Sequence, residues 1–327
     1  MSTMRELNFS VDPWDFKKPF TITGYTFTSV ELLFVSISQD VHTGCGEAAG
    51  VYYLREDGAS MVADVEAVKK AIEGGAGRAE LLELLPPGGA RNAIDCALWD
   101  LEAKIGNTTI WELTDVEPAV TRSAETVGVG TPDEMAAAAA AIDSSIIKVK
   151  LSGETPFERI SAVRDARPDV EMIVDINQGW SFEQLKEMAP RFRDIGIAMI
   201  EQPLPRGRDE ALEGYESPVP LCADESCLGI SEFEQAARRY QMINIKLDKT
   251  GGLTEALDLA RLAESRGIDL MVGNMTGTSL AMAPAFVLAQ LCRFVDLDGA
   301  LFLKKDRDNP MTYRHGIVSQ PSAELWG

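Results

Sequence analysis

The stretch EMIVDINQGW, residues 171–180, decides the fold class. Its apolar run predicts a buried β-strand, yet the run ends on Asp175, and Asn177 follows two residues later. A carboxylate at the end of an apolar strand is costly to bury unless something pairs with it. Asp175 therefore predicts a partner, and the same arrangement recurs along the chain.

Charged residues end or follow apolar runs at nearly regular intervals. Along the chain they are Lys148, Lys150, Asp175, Glu201, Asp224 and Lys246. From Lys150 onward the intervals are 25, 26, 23 and 22 residues, about the length of one strand and one helix. Any one of these residues alone would be typical of a helix cap or a loop salt bridge. In a barrel of parallel strands, however, all of them face the same mouth, where active sites lie.

From about residue 120 short apolar strands alternate with helical stretches, among them ISEFEQAARRY at residues 230–240. The eight predicted strands are RSAETV, IIKVKL, EMIVDI, IAMIEQ, VPLCAD, MINIKL, DLMVGN and RFVDLD. This alternation is typical of an α/β barrel of the TIM type. A doubly wound open sheet is the rival fold, but it usually carries a glycine-rich phosphate turn after its first strand, and none occurs here.

The first third of the chain predicts a small α+β domain. Residues 20–40 are rich in Thr, Val, Ile and Phe and predict two antiparallel strands, the second ending near Gln39. Residues 63–74 and 78–85 predict helices that are separated by a glycine-rich break. Residues 90–107 predict a longer helix. Its apolar face is predicted to carry Ile94, Leu98, Leu101 and Ile105.

The composition excludes several classes of protein. The 327 residues are 45% apolar, enough for a large core, and a formal net charge of −20 argues against nucleic-acid and anionic-membrane partners. With only two histidines, a histidine-rich zinc site and a Ser-His-Asp hydrolase are not expected. Five cysteines without a C-x-x-C pair, and an N-terminus without an apolar signal core, predict a cytoplasmic protein.

Three of the charged strand ends are carboxylates on consecutive predicted strands, Asp175, Glu201 and Asp224. Converging anions repel one another, and a hard divalent cation relieves the repulsion. Oxygen ligands without histidine or thiolate favour Mg²⁺ over zinc. Lys150 and Lys246 flank the three carboxylates around the barrel. This arrangement suits removal of a proton from one face of a metal-bound substrate and its return to the other face.

Taken together, these motifs resemble those of the enolase superfamily, muconate-lactonising subgroup. The matching stretches are KVK (148–150), VDINQGW (174–180), IEQPL (200–204), ADES (223–226) and NIKLDKTGGL (244–253). VDLDG (295–299) resembles the D-x-D motif of the dipeptide epimerases in this subgroup, and ARNAIDCALWDL (90–101) is similar to epimerases of the L-Ala-D/L-Glu type. The resemblance covers about residue 5 to the low 300s.

The resemblance implies a modified (β/α)7β TIM barrel, residues 118–303, with an α+β capping domain made of residues 1–117 and the C-terminal segment 304–327. It implies one Mg²⁺ per subunit, and a 1,1-proton transfer that inverts the α-carbon of the C-terminal residue of an L-Ala-X dipeptide. Mg²⁺ would stabilise the charge that develops on the substrate carboxylate.

The resemblance also assigns roles to residues. Asp175, Glu201 and Asp224 are the implied Mg²⁺ ligands, with Lys150 and Lys246 as the acid/base pair. Lys148 is expected to tune Lys150 and to balance charge at the substrate carboxylate. Asp296 and Asp298 are expected to hold the α-ammonium of the dipeptide; a second metal site or a solvated edge is the alternative. Asn177 and Glu225 are expected beside the ligands or Lys246, or in ordinary loop hydrogen bonds, and Asp248 and Lys249 in loop or salt-bridge contacts.

The sequence departs from the L-Ala-D/L-Glu type near residue 20. These epimerases carry an arginine there for the glutamate side chain, whereas this chain reads FTITGYTFTSV, with Tyr25 and Phe27. An aromatic loop offers no bidentate partner for a second carboxylate. Arg55 is the other candidate for that charge. A dipeptide with an apolar C-terminal residue is therefore a candidate substrate, with Tyr25 and Phe27 as substrate-binding residues.

Two alternatives remain at this stage. The same lysines and acids serve N-acylamino acid racemases, o-succinylbenzoate synthases and cycloisomerases, whose substrates lack the free α-ammonium that a D-x-D motif would bind. A barrel that binds peptides without turnover is a remote alternative, because a pure binder has no need of two lysines across a metal. The sequence leaves a homo-oligomeric state open.

Overall fold

The computed structural model describes residues 5–327. Its N-terminal part is a three-stranded antiparallel sheet, ordered β1-β2-β3, covered by helices. These elements, called the cap below, are β1 Glu6–Ile22, β2 Tyr25–Gln39, β3 His42–Ala49, α1 Gly58–Glu73, α2 Arg78–Leu84, α3 Gly89–Gly106 and α4 Ile110–Thr114. Between β3 and α1 lies a short 3-10 helix, Tyr52–Leu54.

The first cap strand is longer than the sequence predicted. Strand β1 begins at Glu6, so only its last three residues, 20–22, fall within the range 20–40. The hairpin turn lies at residues 23–24, and β2 ends at Gln39 as predicted. Charged residues and two prolines hide the alternation of β1, which is an edge strand and therefore tolerates proline.

Helix α3 is buried along most of its length, between the cap sheet and the second part of the molecule. Ile94, Leu98 and Leu101 lie in the cap core as predicted. Ile105 is 42% exposed, so its predicted place on the buried face is wrong. The helix ends at Gly106, and Asn107, the next residue, takes the left-handed conformation.

The second part is a parallel sheet of eight strands in sequence order, β5 to β12. The strands are β5 Glu125–Val127, β6 Ile146–Lys150, β7 Glu171–Asp175, β8 Ile197–Glu201, β9 Leu221–Ala223, β10 Met242–Ile245, β11 Asp269–Val272 and β12 Phe294–Val295. The amide of Ala124 donates to the carbonyl of Val295 at 2.7 Å, which joins the last strand to the first. The predicted (β/α)7β barrel with an α+β cap is confirmed.

Helices connect the strands outside the barrel. They are α5 Pro132–Ala140, α6 Pro156–Ala166, α7 Phe182–Asp194, α8 Phe233–Ala236, α9 Leu247–Thr250, α10 Leu253–Ser265, α11 Ser279–Ala289 and, after β12, α12 Gly299–Phe302. The helix expected over 230–240 is short, because Arg239 and Tyr240 turn inward and bond Asp209 at 2.6 and 2.8 Å. Within residues 5–327 no helix is both long and apolar enough to cross a membrane.

The C-terminal residues touch both parts of the molecule. Strand β13 Tyr313–Arg314 pairs with β14 Ile317–Val318, and β14 pairs with β4 Thr121–Arg122, next to the barrel. Farther along, the indole of Trp326 donates to the carbonyl of Cys96 in α3 at 2.9 Å. The boundaries at residues 117 and 303, and the assignment of 304–327 to the cap, stay predictions.

The barrel interior is filled by one side chain from each of several strands. This small cluster consists of Ala124, Ile173, Met199, Cys222, Met242, Met271 and Phe294. A much larger apolar cluster lies between the sheet and the outer helices. The interior cluster closes the barrel below its mouth, so charged strand ends meet in a buried layer rather than in a water-filled pore.

Candidate active site

Three carboxylates meet at the carboxyl ends of neighbouring barrel strands. Asp175 and Glu201 are the last residues of β7 and β8 and are register partners, and Asp224 directly follows β9. One oxygen from each lies within 4.8 Å of the others, and all three side chains are buried. The parallel register places them side by side because each strand ends at the same level.

Two lysines flank this carboxylate cluster. Lys150 Nζ, at the end of β6, lies 2.5 Å from Asp175 Oδ2, and Lys246 Nζ, just after β10, lies 2.7 Å from Asp224 Oδ2. Both lysines line one cavity of about 110 Å³. A molecule in this cavity would therefore have one ammonium group on each side and the carboxylate cluster beside it.

Lys148 lies deeper, one pleat below Lys150. Its Nζ is 2.8 Å from Glu201 Oε2, 3.3 Å from Asp175 Oδ2 and 2.8 Å from Asp296 Oδ2. Burial alone would lower the pKa of Lys148, but the three carboxylates, Asp296 foremost, hold it well above its usual value. Lys148 and Lys150 share Asp175 Oδ2, so a fixed positive charge lies near Lys150, as the sequence predicted.

The three carboxylates are not equivalent electrostatically. Burial would raise the pKa of Asp175 and Asp224, but the ammonium groups beside them hold both pKa values below the usual range. Glu201 is different, because burial and the charge of Asp175 together raise its pKa. The middle carboxylate is thus the least compensated of the three.

The donor set of the carboxylate cluster suits a hard divalent cation. It offers only oxygen atoms, and Glu201 Oε2 has no aligned hydrogen bond from any described residue, although Lys148 lies 2.8 Å away. The other oxygen of Glu201 accepts from Asn244 Nδ2 at 2.7 Å. A buried carboxylate that is fixed through one oxygen and has no hydrogen bond on the other suits a metal ligand. Asp175, Glu201 and Asp224 therefore fit Mg²⁺.

Sequence reasoning missed Asn244, whereas Lys249 forms a salt bridge, one of the two kinds of contact expected for it. Asn244 is two residues before Lys246 in β10 and so points to the same side, a signal that the alternation of the strand contained. Lys249, expected in a loop or salt bridge, is fully buried; its Nζ lies 2.7 Å from Asp224 Oδ1 and also donates to the carbonyls of Asp224, Asn244 and Cys227. Lys249 therefore fixes the orientation of the Asp224 side chain.

Asn177 and Glu225 lie beside the carboxylate cluster. The backbone amide of Asn177, not its side chain, donates to Asp175 Oδ1 at 2.9 Å, and its side chain lines the cavity. Asn177 Oδ1 and Glu225 Oε2 are buried without a hydrogen-bond partner among residues 5–327. Burial and the charge of Asp224 raise the pKa of Glu225 to about 8.

Asp296 and Asp298 follow β12 rather than lying on it, since the strand ends at Val295. Both are buried, so the solvated edge considered above is excluded. Asp298 Oδ2 accepts from the amide of Thr126 at 2.8 Å, and burial with the neighbouring Asp296 raises its pKa well above the usual value. Asp296 Oδ1 has no hydrogen-bond partner among the described residues.

Apart from Lys150, Lys246, Asn177, Asn274 and Thr276, the cavity has a largely apolar wall. This wall is formed by Phe16, Phe20, Ile22, Phe27, Val30, Gly50, Tyr52 and Met275. Tyr25 does not line the cavity; it is 47% exposed and packs against Phe27 and Tyr52, with ring centroids 6.0 and 4.7 Å apart. Arg55 is exposed and does not line it either. No cation other than Lys150 and Lys246 faces this cavity within the described part of the chain.

Two family models match the chain. The one described as "Mandelate racemase / muconate lactonizing enzyme, N-terminal domain" matches residues 4–114, and the one described as "Enolase C-terminal domain-like" matches residues 133–324. Among curated relatives, the L-Ala-D/L-Glu epimerase of Escherichia coli K12 is 39% identical over 317 residues, 96% of this chain and 99% of the relative. The N-acetyl-D-glutamate racemase of a Pseudoalteromonas species is 45% identical over 249 residues, 76% of this chain and 79% of the relative.

Solved structures of related proteins are similar to this chain over nearly its whole length. An enolase family member from Agrobacterium tumefaciens with homology to dipeptide epimerases, with bound sodium and L-Ala-L-Glu, has a TM-score of 0.96 at 39% identity and covers 99% of this chain and 100% of its own. A dipeptide epimerase from Methylococcus capsulatus complexed with Mg and L-Arg-D-Lys has a TM-score of 0.91 at 27% identity, covering 98% of this chain and 99% of its own.

Proposed function

The chain belongs to the mandelate racemase/muconate lactonizing enzyme family of enolase-like proteins, and from this premise we propose that it is a Mg²⁺-dependent dipeptide epimerase. The observation that carries the proposal is the pair of lysines, Lys150 and Lys246, on two sides of one cavity beside three buried carboxylates. The epimerase relatives, which match almost the whole chain, support it.

In this proposal Asp175, Glu201 and Asp224 hold the metal. Bound there, Mg²⁺ would stabilise negative charge on the substrate carboxylate as the α-proton leaves. One lysine, neutral when it acts, takes that proton, and the other, as an ammonium, delivers a proton to the opposite face, so the configuration inverts. Asp224 raises the pKa of Lys246 in the protein as it stands.

Asp296 and Asp298 are proposed to hold the α-ammonium of the dipeptide, and Lys148 to tune Lys150 and to balance charge at the substrate carboxylate. Support comes from Asp296 Oδ1, a buried acceptor without a donor among residues 5–327. A buried acceptor costs about 1–3 kcal/mol unless a donor reaches it, and an ammonium group supplies one. An N-acyl group would bring no positive charge to these two carboxylates.

The N-terminal residue is proposed to be alanine-like, and the inverted residue apolar. The cavity lining is mostly aromatic and aliphatic, with Asn177, Asn274 and Thr276 among its polar members and no arginine. A glutamate side chain would therefore lose hydration there without gaining a bidentate ion pair. Phe27 contributes directly to this wall, and Tyr25 supports Phe27 through ring contact.

The test is proton NMR of the purified enzyme with Mg²⁺ in D₂O, against pooled L-Ala-X dipeptides. Loss of the α-proton signal of X with growth of the diastereomer is the expected result. The apolar preference predicts that L-Ala-L-Leu or L-Ala-L-Phe has a higher kcat/KM than L-Ala-L-Glu. A strong preference for L-Ala-L-Glu would overturn that preference but leave the epimerase function standing.

A second candidate is N-acylamino acid racemisation, which the 45% identical N-acetyl-D-glutamate racemase supports. The same lysines and metal ligands would serve it. N-acetyl amino acids in the same NMR assay separate the two: exchange in N-acetyl amino acids but in no dipeptide would replace the epimerase proposal. An Asp296→Asn variant should weaken dipeptide turnover more than any residual N-acyl turnover.

We also propose that the enzyme is cytoplasmic. All five cysteines are free thiols, which suits a reducing compartment. Fractionation of source cells tests this location.

A further inference from the structure

Helix α3 of the cap packs directly on the turn that follows Lys246. Gly251 and Gly252 in this turn have φ of 67° and 122°, in the region that favours glycine. A Cβ atom at Gly252 would lie 2.4 Å from Asp95 Oδ2, and one at Gly251 would lie 2.8 Å from the Cα of Pro87. The turn therefore packs so closely against the cap that neither position has room for a side chain.

Side chains of α3 bond this turn at several points. Arg91 donates to the carbonyls of Gly251 at 3.1 Å and Thr250 at 2.6 Å. Asp95 accepts from the amide and the hydroxyl of Thr254 at 3.0 and 2.5 Å. The amides of Lys249 and Thr250 in turn donate to the carbonyl of Lys246. The turn is thus one hydrogen-bonded unit that begins at Lys246.

Asp248 joins this unit to the wall of the cavity. Its Oδ1 accepts from Asn92 Nδ2 of α3 and from the amide of Ala49, both at 3.1 Å, and the side chain is buried. Ala49 is the last residue of β3, and the next residue, Gly50, lines the cavity, as does Tyr52. One carboxylate, two residues from Lys246, therefore fixes the cap segment that faces the substrate.

The other lysine has a separate connection to the cap. Thr23, in the turn between β1 and β2, donates from its hydroxyl toward the carbonyls of Leu151 at 3.3 Å and Ile176 at 3.4 Å. Leu151 follows Lys150, and Ile176 follows Asp175. The cap thus contacts the Lys246 side through Asp248 and the Lys150 side through Thr23.

We propose that Asp248 is a positioning residue for Lys246 alone, so that each of the two cap segments aligns one of the two proton-transfer lysines. The proposal rests on the epimerase function proposed above. Without Asp248 the turn loses its bond to Ala49 and Asn92, and Lys246 shifts relative to the substrate. Lys150, on the other side of the cavity, keeps its own connection.

The experiment compares the two epimers in the same enzyme. Full-length protein with Mg²⁺ is mixed in D₂O with L-Ala-L-Leu or L-Ala-D-Leu, or the epimer pair preferred in the dipeptide screen, and initial α-proton exchange rates are measured by NMR. Lys246→Ala identifies the epimer that faces Lys150, because that epimer still exchanges without inversion. Lys150→Ala identifies the other.

Asp248→Ala should slow exchange of the Lys246-facing epimer at least 10-fold more than exchange of the Lys150-facing epimer. Asp248→Asn retains an acceptor oxygen for Ala49 and should restore most of the loss. Thr23→Val should slow exchange of the Lys150-facing epimer more than exchange of the Lys246-facing epimer. The difference should be smaller than for Asp248→Ala, because the hydrogen bonds of Thr23 are long. The ratio of two rates within one enzyme does not depend on the folded fraction.

Asp100→Ala is the matched control. Asp100 is also a buried aspartate of α3, but it accepts from the amides of Cys45 and Gly327, away from the Lys246 turn. It should slow both epimers equally or not at all. Equal slowing of both epimers by Asp248→Ala, or no slowing, would overturn the positioning role. A wild-type enzyme that exchanges neither epimer of any dipeptide would instead refute the proposed function.

Discussion

Lys249 differs from the two cavity lysines in what surrounds it. Lys150 and Lys246 face the cavity, whereas Lys249 is enclosed and bonded to one carboxylate oxygen and three backbone carbonyls. Four fixed acceptors around a buried ammonium leave no room for a substrate, so its contribution is to the folded structure and to the orientation of Asp224.

Lys249→Met is therefore expected to lower the free energy of unfolding by about 3–5 kcal/mol, since removal of one partner leaves a buried carboxylate and carbonyls without a donor. Urea unfolding followed by circular dichroism measures it. Lys186→Met is the control, because Lys186 pairs with Glu183 on the surface and its loss should change stability by less than about 0.5 kcal/mol. A loss below about 1 kcal/mol for Lys249→Met would contradict this role.

Asp95 makes the stability depend on pH. Burial raises the pKa of this carboxyl to about 6, although Thr254 donates two hydrogen bonds to it. The folded protein therefore holds a proton that the unfolded chain, with a pKa near 3.9, has already released. The stabilisation from this group is complete below pH 4 and is lost as the pH rises through 6.

Asp95→Asn removes this dependence. Relative to the wild type, the variant should gain about 2–3 kcal/mol of stability between pH 4 and pH 8, whatever its absolute stability. The measurement is the unfolding free energy of the variant minus that of the wild type, determined at pH 4 and again at pH 8. Asp169→Asn, at an exposed position, serves as the control. A difference that stays constant from pH 4 to pH 8 would show that Asp95 ionises normally in the folded protein.

At the scale of elements, the contact between α3 and the Gly251–Gly252 turn is set by backbone shape. Gly252→Ala should destabilise the protein by about 2–5 kcal/mol, because φ of 122° is strained for alanine and the new methyl group collides with Asp95. It should also lower kcat by moving the turn that begins at Lys246. Thermal unfolding and the epimerisation assay measure the two effects.

Gly196→Ala separates strain from collision. Gly196 has φ of 74°, and a Cβ atom there would have no heavy atom within 4 Å. This variant should lose only about 1–2 kcal/mol from the left-handed backbone and keep its kcat. Equal losses in stability and activity for the two variants would mean that α3 does not press on the turn.

The elements that the sequence predicted best are those with a strong period. Six of the eight barrel strands end on a charge or are followed directly by one, and the structure contains all eight strands in the predicted order. Strand β1 was largely missed, because Pro13, Pro19 and several charges interrupt its alternation. The helix over 230–240 was overestimated, because apolar periodicity does not show that Arg239 and Tyr240 bond Asp209.

Within the site, the charged strand ends could be found from spacing, but their connections to the cap could not. The bond between Ala49 and Asp248 joins residues 199 positions apart, and no local pattern encodes it. Asn244 is a single polar residue in an apolar strand, and only its position two residues before Lys246 points to the site. Such contacts depend on how two separately folded layers meet.

At the scale of the whole molecule, the acidic chain concentrates three buried carboxylates at the mouth of the barrel. Their mutual repulsion opposes folding, and the lysines offset only part of it, as the raised pKa of Glu201 indicates. A cation that binds these carboxylates in the folded barrel, and not in the unfolded chain, must stabilise the fold by mass action. Metal binding and folding stability are therefore linked.

Mg²⁺ at about 100 times its Kd should stabilise the protein by about 2.7 kcal/mol, and EDTA should remove the gain. Scanning calorimetry in a series of Mg²⁺ concentrations measures it as a Tm that rises with the logarithm of concentration. Glu201→Gln keeps the volume of the side chain but removes the charge, so its Tm should be nearly independent of Mg²⁺. A metal-independent Tm in the wild type would mean that Asp175, Glu201 and Asp224 do not form a metal site; a rise that persists in Glu201→Gln would place the cation elsewhere.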